Sequence, residues 1–154
     1  MDSGKTNNCT NSKLKTFHIL IKIMNDLCRT CGKCCYDTEM LLTNEDIVRI
    51  SKKFNHQALS TFFFINNDGF KQLANVDGHC IFFNPIDVSC QIYSIRPEGC
   101  ILYPLVYNEK NQKCEVDTFC PHKKTFYQEQ KEFKFSCFRI LKLINKLYEE
   151  LNLV

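Results

Sequence analysis

The sequence predicts a small α+β domain with helices at both ends, short antiparallel strands between them and a cysteine-rich metal-binding core. Three observations carry that prediction. Apolar residues recur at helical spacing near each end of the chain. Asp77-Gly78 sits between two strand-like runs, a strong two-residue hairpin signal. Eleven of the 154 residues are cysteine, far more than a core of this size needs for disulfide staples.

Each element follows in chain order. Residues 1–12 are polar and predict a poorly ordered tail, which leaves 13–154 as a single domain. Leu14, Phe17, Leu20, Ile21, Met24 and Leu27 share one helical face, so 13–27 predicts an amphipathic helix leading into the first cysteines. Thr43 reads as an N-cap with Asp46 at the third helical position, and Ile47, Ile50 and Phe54 give that helix its apolar face. Asn55 and His56 break it, and 58–65 predicts a short second helix. The runs 70–76, 79–83 and 89–93 predict strands, with Asn84-Pro85-Ile86-Asp87 as a turn. Arg96-Pro97-Glu98-Gly99-Cys100 predicts a turn opening one helical turn, with Pro97 at its first position. The stretch 105–107 can pair with 114–119. From about Lys123 the chain predicts helix, its stripe formed by Phe138, Leu141, Ile144, Leu147, Tyr148 and Leu151.

Composition excludes several classes. Hydrophobic residues at 44% and charged residues at 24% match a folded soluble protein rather than a disordered chain. No apolar run reaches the roughly 18–20 residues of a membrane span; 19–24 is interrupted by Lys22. The first residues have no apolar region of a secretory signal. The expected compartment is therefore the cytoplasm. The formal net charge of +3 counts every thiol as neutral. One four-thiolate site around zinc, or around an oxidised [4Fe–4S] cube, brings it to about +1. No nucleic-acid partner is expected. Seven basic and four acidic residues from Lys123 onward read as a solvated helix face.

An intracellular chain dense in cysteine is more often a metal or redox protein than a disulfide scaffold. The central signal is Cys28-Arg29-Thr30-Cys31-Gly32-Lys33-Cys34-Cys35. Its two overlapping C-x-x-C units bring the sulfurs of Cys28, Cys31 and Cys34 around one centre. The two-residue spacer lets the loop curl, and Gly32 allows the left-handed conformation such a turn needs. Backbone N–H groups of the curled loop can donate to thiolate sulfur. Cys35 differs, because adjacent side chains diverge; it belongs to a second site or is a neighbouring free thiol. Cys80, Cys90, Cys100 and Cys120 bring the total to eight sulfurs, enough for two four-coordinate sites or one site with spares. Cys9, Cys114 and Cys137 look peripheral, and a lone helical cysteine such as Cys137 is usually a small hydrophobe. His79 and His122 flank candidate ligands but read as turn or surface histidines. Arg96 has two readings: a cation that binds a thiolate-ligated cofactor, or a turn residue paired with Glu98 or Asp87. Tyr93 and Tyr103 read as packing that shields the site.

The block 28–35, the Cys-x9-Cys spacing, Tyr93, Arg96-Pro97-x-x-Cys100, Tyr103-Pro104 and Cys120-Pro121 resemble the CxxCxxCC cysteine-cluster family, also called the YkgJ family. Its members are described as candidate zinc- or iron-chelating proteins. Four separated blocks occur in order, from about Cys28 to Pro121. Ile101 stands where arginine is frequent, Tyr103 where phenylalanine is, and His122 where glycine is. A related cysteine block occurs in the flagellin lysine methylases, considered iron–sulfur proteins that use S-adenosylmethionine. That resemblance favours iron–sulfur over zinc. The chain has no Rossmann-like glycine fingerprint and lacks the C-x3-C-x2-C spacing of radical S-adenosylmethionine enzymes.

The sequence therefore predicts a cysteine-ligated [4Fe–4S] cluster held by Cys28, Cys31, Cys34 and one of the later cysteines, with Zn²⁺ as the alternative. Three function classes follow. The first is an electron-transfer protein with an unidentified redox partner. The second is a cluster-dependent transferase or Lewis-acid enzyme, for which no general base stands out. The third is a closed structural zinc or metal-trafficking module.

Overall fold

The computed structural model describes residues 27–54 and 62–152. The expected tail, all of the 13–27 helix before residue 27, and residues 55–61 lie outside the described residues.

A helical turn over 27–31 leads into a 3₁₀ turn, Lys33–Cys35, and an extended segment to Thr43. Helix α1 spans Asn44–Lys53 and starts as its sequence dictates. The Thr43 hydroxyl accepts from the Asp46 N–H at 3.1 Å, while the Asp46 carboxylate accepts from the Thr43 N–H at 3.1 Å. This reciprocal cap satisfies donors that a helix start leaves open. Ile47 and Ile50 face inward and are buried.

Strands β1 (Phe63–Ile65) and β2 (Lys71–Leu73) form an antiparallel pair. This corrects the last residues of the helix expected over 58–65; its first part, 58–61, lies outside the described residues. The bulky aromatic and β-branched run from Phe62 to Ile65 favours strand, and the turn after it closes a hairpin. Gly69 supplies a φ of +87° in that turn, and its N–H donates to the Asn66 carbonyl at 3.0 Å.

The strand expected over 70–76 divides at Ala74, whose N–H bonds the Phe62 carbonyl. Strand β3 (Asn75–Val76) then pairs with β4 (His79–Cys80) across Asp77-Gly78, both residues at positive φ. Strand β5 (Phe83–Asn84) pairs with β6 (Ser89–Cys90) across the predicted Pro85 turn. The expected strand over 89–93 ends early, in a 3₁₀ turn at Tyr93–Ile95. Helix α2, Glu98–Leu102, follows Pro97. Strands β7 (Leu105–Asn108) and β8 (Lys113–Val116) form the longest ladder, four residue pairs in register.

Helix α3, Gln130–Leu151, closes the chain. It starts later than Lys123, because 121–128 runs through turns. The expected stripe is corrected in part. Ser136, Ile140, Leu147 and Glu150 are buried, whereas Phe138 is 65% exposed and Leu141 and Tyr148 are also exposed. The helix carries apolar residues on more than one face, so spacing alone does not select the buried one.

The core comes in two clusters. Leu42, Ile47, Ile50, Phe62, Leu73, Cys80, Phe82, Phe83 and Ile92 form the first. Leu102, Leu105, Cys114 and Ile140 form the second. Helix α3 joins them. Buried Glu150 accepts from the Asn44 N–H at the start of α1 at 2.8 and 3.0 Å, and Arg139 pairs with Glu98 of α2 at 2.5 Å. A Cys114–Cys137 disulfide ties β8 to α3. This corrects the reading of Cys137 as a lone small hydrophobe. Sequence cannot show which distant residues a long helix brings opposite a strand.

Candidate metal centre

All eight predicted ligand cysteines are free thiols. Six of them, Cys28, Cys34, Cys35, Cys80, Cys90 and Cys100, line one cavity of about 560 Å³ together with Arg96 and Tyr93. Cys31 and Cys120 stand outside that lining but within electrostatic range of Cys28 and Cys34. Among the described residues, no three His, Cys, Asp or Glu side chains are already arranged to hold an ion.

The local backbone explains how each sulfur is presented. Gly32 at φ +60° turns the chain between Cys31 and Cys34, and the Cys35 N–H closes the turn on the Gly32 carbonyl at 2.9 Å. A Cβ on Gly32 would stand 2.5 Å from the Phe83 ring, so close packing as well as φ requires glycine here. Cys80 ends β4, Cys90 ends β6 and Cys120 precedes Pro121. In each case the backbone N–H two residues further on, of Phe82, Ile92 or His122, donates to the sulfur. Three separate turns therefore repeat one device, an amide dipole aimed at sulfur, which favours its thiolate form.

Burial opposes that effect. It pushes the Cys28 and Cys80 thiols up to about 11. The same cause raises Cys90, Cys120 and Cys100, the last well above the ordinary thiol range. Cys34 and Cys35 interact directly. The Cys35 S–H donates to the Cys34 sulfur, which lowers Cys34 and raises Cys35. Cys34 is the exposed member, and its charge acts on Cys28, Cys35, Cys80, Cys90, Cys100 and Cys120. It is the electrostatic hub of the cluster.

Arg96 stands with its guanidinium 4.0 Å over the Tyr93 ring and donates to the Tyr93 carbonyl at 2.8 Å. Arg29 lies over the same ring at 4.5 Å. The positive charge of Arg96 favours the thiolates of Cys28, Cys34, Cys90 and Cys100. Of the carboxylates considered from sequence, Glu98 bonds Arg139, and Asp87 accepts from Ser89. Tyr103 donates to Asp117 at 3.0 Å, and burial, followed by that carboxylate, pushes its pKa up and keeps the phenol protonated. His79 packs edge-on against Tyr36 and Phe83, with Nδ1 3.1 Å from the Cys80 carbonyl.

Sequence reading missed what clamps the Arg96 turn. Arg49 of α1 donates to the carbonyls of Ile95 at 3.3 Å and Arg96 at 3.0 Å, and pairs with Asp46 at 2.5 Å. Asp46, 1% exposed, also accepts from the Glu98 N–H at 3.1 Å. The capping pattern reveals Asp46 as a helix residue. Nothing in the spacing reveals that it also caps α2, more than fifty residues later.

These features define a small cysteine-rich α+β domain in which strand ends and tight turns present thiols around a shared cavity. The chain belongs to the CxxCxxCC family, described as a putative zinc- or iron-chelating domain, whose model matches residues 27–121. No curated protein and no solved structure matches the chain. The match takes in all eight free thiols of the described residues and stops short of α3. Membership supports metal binding, and an all-thiol donor set suits both iron–sulfur clusters and zinc. Among the described residues, no helix is long and apolar enough to cross a membrane.

Proposed function

We propose that the protein holds a cysteine-ligated [4Fe–4S] cluster and passes single electrons to a protein partner in the cytoplasm. The observation that carries this reading is the repeated amide-to-sulfur turn at Cys80, Cys90 and Cys120, beside the C-x2-C-x2-C loop. N–H donors to sulfur and a nearby guanidinium stabilise negative charge on a thiolate-bound cluster and tune its potential. Cys28, Cys31 and Cys34 supply three ligands, and mutual electrostatic range favours Cys120 as the fourth. Cys35, Cys80, Cys90 and Cys100 interact among themselves and with Cys34, and form the natural set for a second centre. A cluster supplies one-electron chemistry; Arg96 offsets its charge, and Tyr93 limits access of water.

Zinc is the second reading. Amide-supported thiolate turns also suit a closed four-sulfur zinc site. One preparation separates the two. Protein purified without oxygen is assayed for metal and acid-labile sulfide, and its visible spectrum is recorded. Iron and sulfide in near-equal amounts, with a brown chromophore, support the cluster. Zinc without sulfide or colour removes the electron-transfer reading.

A further inference from the structure

The cavity that the sulfurs line is shared with a broad apolar surface. The cysteines, Arg96 and Tyr93 line it together with an apolar floor: Leu102 of α2, Leu105 of β7, and Ile140, Leu143, Ile144 and Leu147 of α3. Both hydrophobic clusters contribute walls, so the cavity lies where the two cores fail to meet. Protein interiors are close-packed, and voids much larger than a water molecule are few. At about 560 Å³, this one falls in the size range of small-molecule sites, roughly 300–1,000 Å³.

The lining also constrains charge. The floor offers only hydrocarbon, where an ionised group would lie without a partner. The charged residues of the lining are Arg29 and Arg96 against Asp37, Glu39 and Asp117. Metal-bound thiolates would add to the negative side. An anion therefore finds no net attraction, and the one acid beside the apolar floor, Asp117 next to Leu105, already accepts from the Tyr103 hydroxyl.

We propose that this cavity binds an uncharged, apolar small molecule. Its hydrocarbon part rests on α2, β7 and α3, and any single polar group faces the cysteines. This goes beyond the metal-centre reading and holds for either metal.

The test is titration calorimetry and thermal denaturation of the full chain as purified, with 1-octanol, octanoate and ethanol as probes. Metal content is assayed on the same samples. Saturable binding of about one 1-octanol per chain is expected, with a raised melting temperature. Octanoate should bind at least about tenfold more weakly, and ethanol should give no shift. Ile144→Trp places an indole in the floor from a half-buried position and should cut octanol affinity at least about tenfold while metal content is retained. Ile144→Phe is the milder filling and should reduce affinity in the same direction if the tryptophan variant does not fold. Absence of saturable octanol binding overturns the proposal. So does octanoate binding as tightly as octanol, or full affinity in a folded, cavity-filled variant. Octanol binding by a chain that purifies without metal would sustain this inference and sink the metal-centre reading. Metal without octanol binding would do the reverse.

Discussion

The two halves of the core are closed by different means. Around the first cluster the chain makes three strand pairs, two of them only two residues long, and ends several turns at a free thiol. Around the second, a four-pair ladder packs on a helix of 22 residues and is stapled by Cys114–Cys137. Two-stranded pairs of that size are not stable on their own in water. If its thiols hold a metal, the first half draws part of its closure from that metal, while the second carries its closure in covalent and regular structure. Metal binding to thiolates in such a region is in part folding free energy.

The largest expected effect comes from breaking the first half at its sulfurs. Cys31→Ala should sharply reduce or abolish metal content, and retention of full metal would count against the centre. Chelation of the wild-type protein should raise amide hydrogen exchange across 27–41 and 75–95 far more than across β7, β8 and the middle of α3. Uniform loss of protection would show that the two halves unfold as one.

Breaking the second half should do the converse. Cys114→Ser removes a cross-link that closes a loop of sequence separation 23, worth about 3 kcal/mol in the loop-entropy account. Denaturant titration should show that loss, while metal content stays at the wild-type level. A loss of metal from this variant would show that the staple also shapes the sulfur site.

Gly32→Ala acts at the boundary between fold and site. A residue other than glycine at φ +60° costs about 1–2 kcal/mol, and the added Cβ meets the Phe83 ring. Metal content should fall, with the hydrogen-exchange pattern of β7, β8 and α3 unchanged.

How much of this was legible in the sequence differs between the halves for a physical reason. Short-range signals were readable: the Thr43–Asp46 cap, the Asp77-Gly78 hairpin, the Pro97 turn and the C-x2-C-x2-C loop each depend on residues within a few positions. The family resemblance gathered the later cysteines. What escaped was long-range. The Cys114–Cys137 bond, the cap that Glu150 places on α1, and the Arg49 clamp on the Arg96 turn join segments whose meeting is set by packing. The stripe on α3 failed for a related reason. Phe138 and Leu141 satisfy helical spacing, yet the buried face is chosen by β7 and α2.

The pH response distinguishes the metal-free from the loaded first half. Cys28 and Cys80 ionise near 9 when unconstrained and at about 11 in the fold. Between those values the folded metal-free chain holds more protons than the unfolded one, so its stability falls as pH rises from about 9 to about 11. It should be flat below that window as far as these two groups are concerned. Metal affinity runs the other way, because each protonated ligand must release its proton on binding; it should climb with pH until the thiols have ionised near 11. Equilibrium unfolding of metal-free protein and competitive chelator titration over the same pH range read the two slopes. Parallel slopes would mean that these thiols are not ligands.

The smallest effect tests whether α1 belongs to the site or only supports it. Thr43→Ala removes the hydroxyl that accepts from Asp46 N–H and should cost about 1 kcal/mol. Asp46 keeps its contacts to Arg49 and to the Glu98 N–H, so the turn carrying Arg96 stays clamped and metal content should not change. Arg49→Gln is the complement. It weakens the hold on the Ile95 and Arg96 carbonyls and should shift the visible spectrum or the reduction potential of a loaded cluster more than it shifts the melting temperature. If both variants alter stability alone, the clamp is a packing device and Arg96 needs no help from α1 to face the sulfurs.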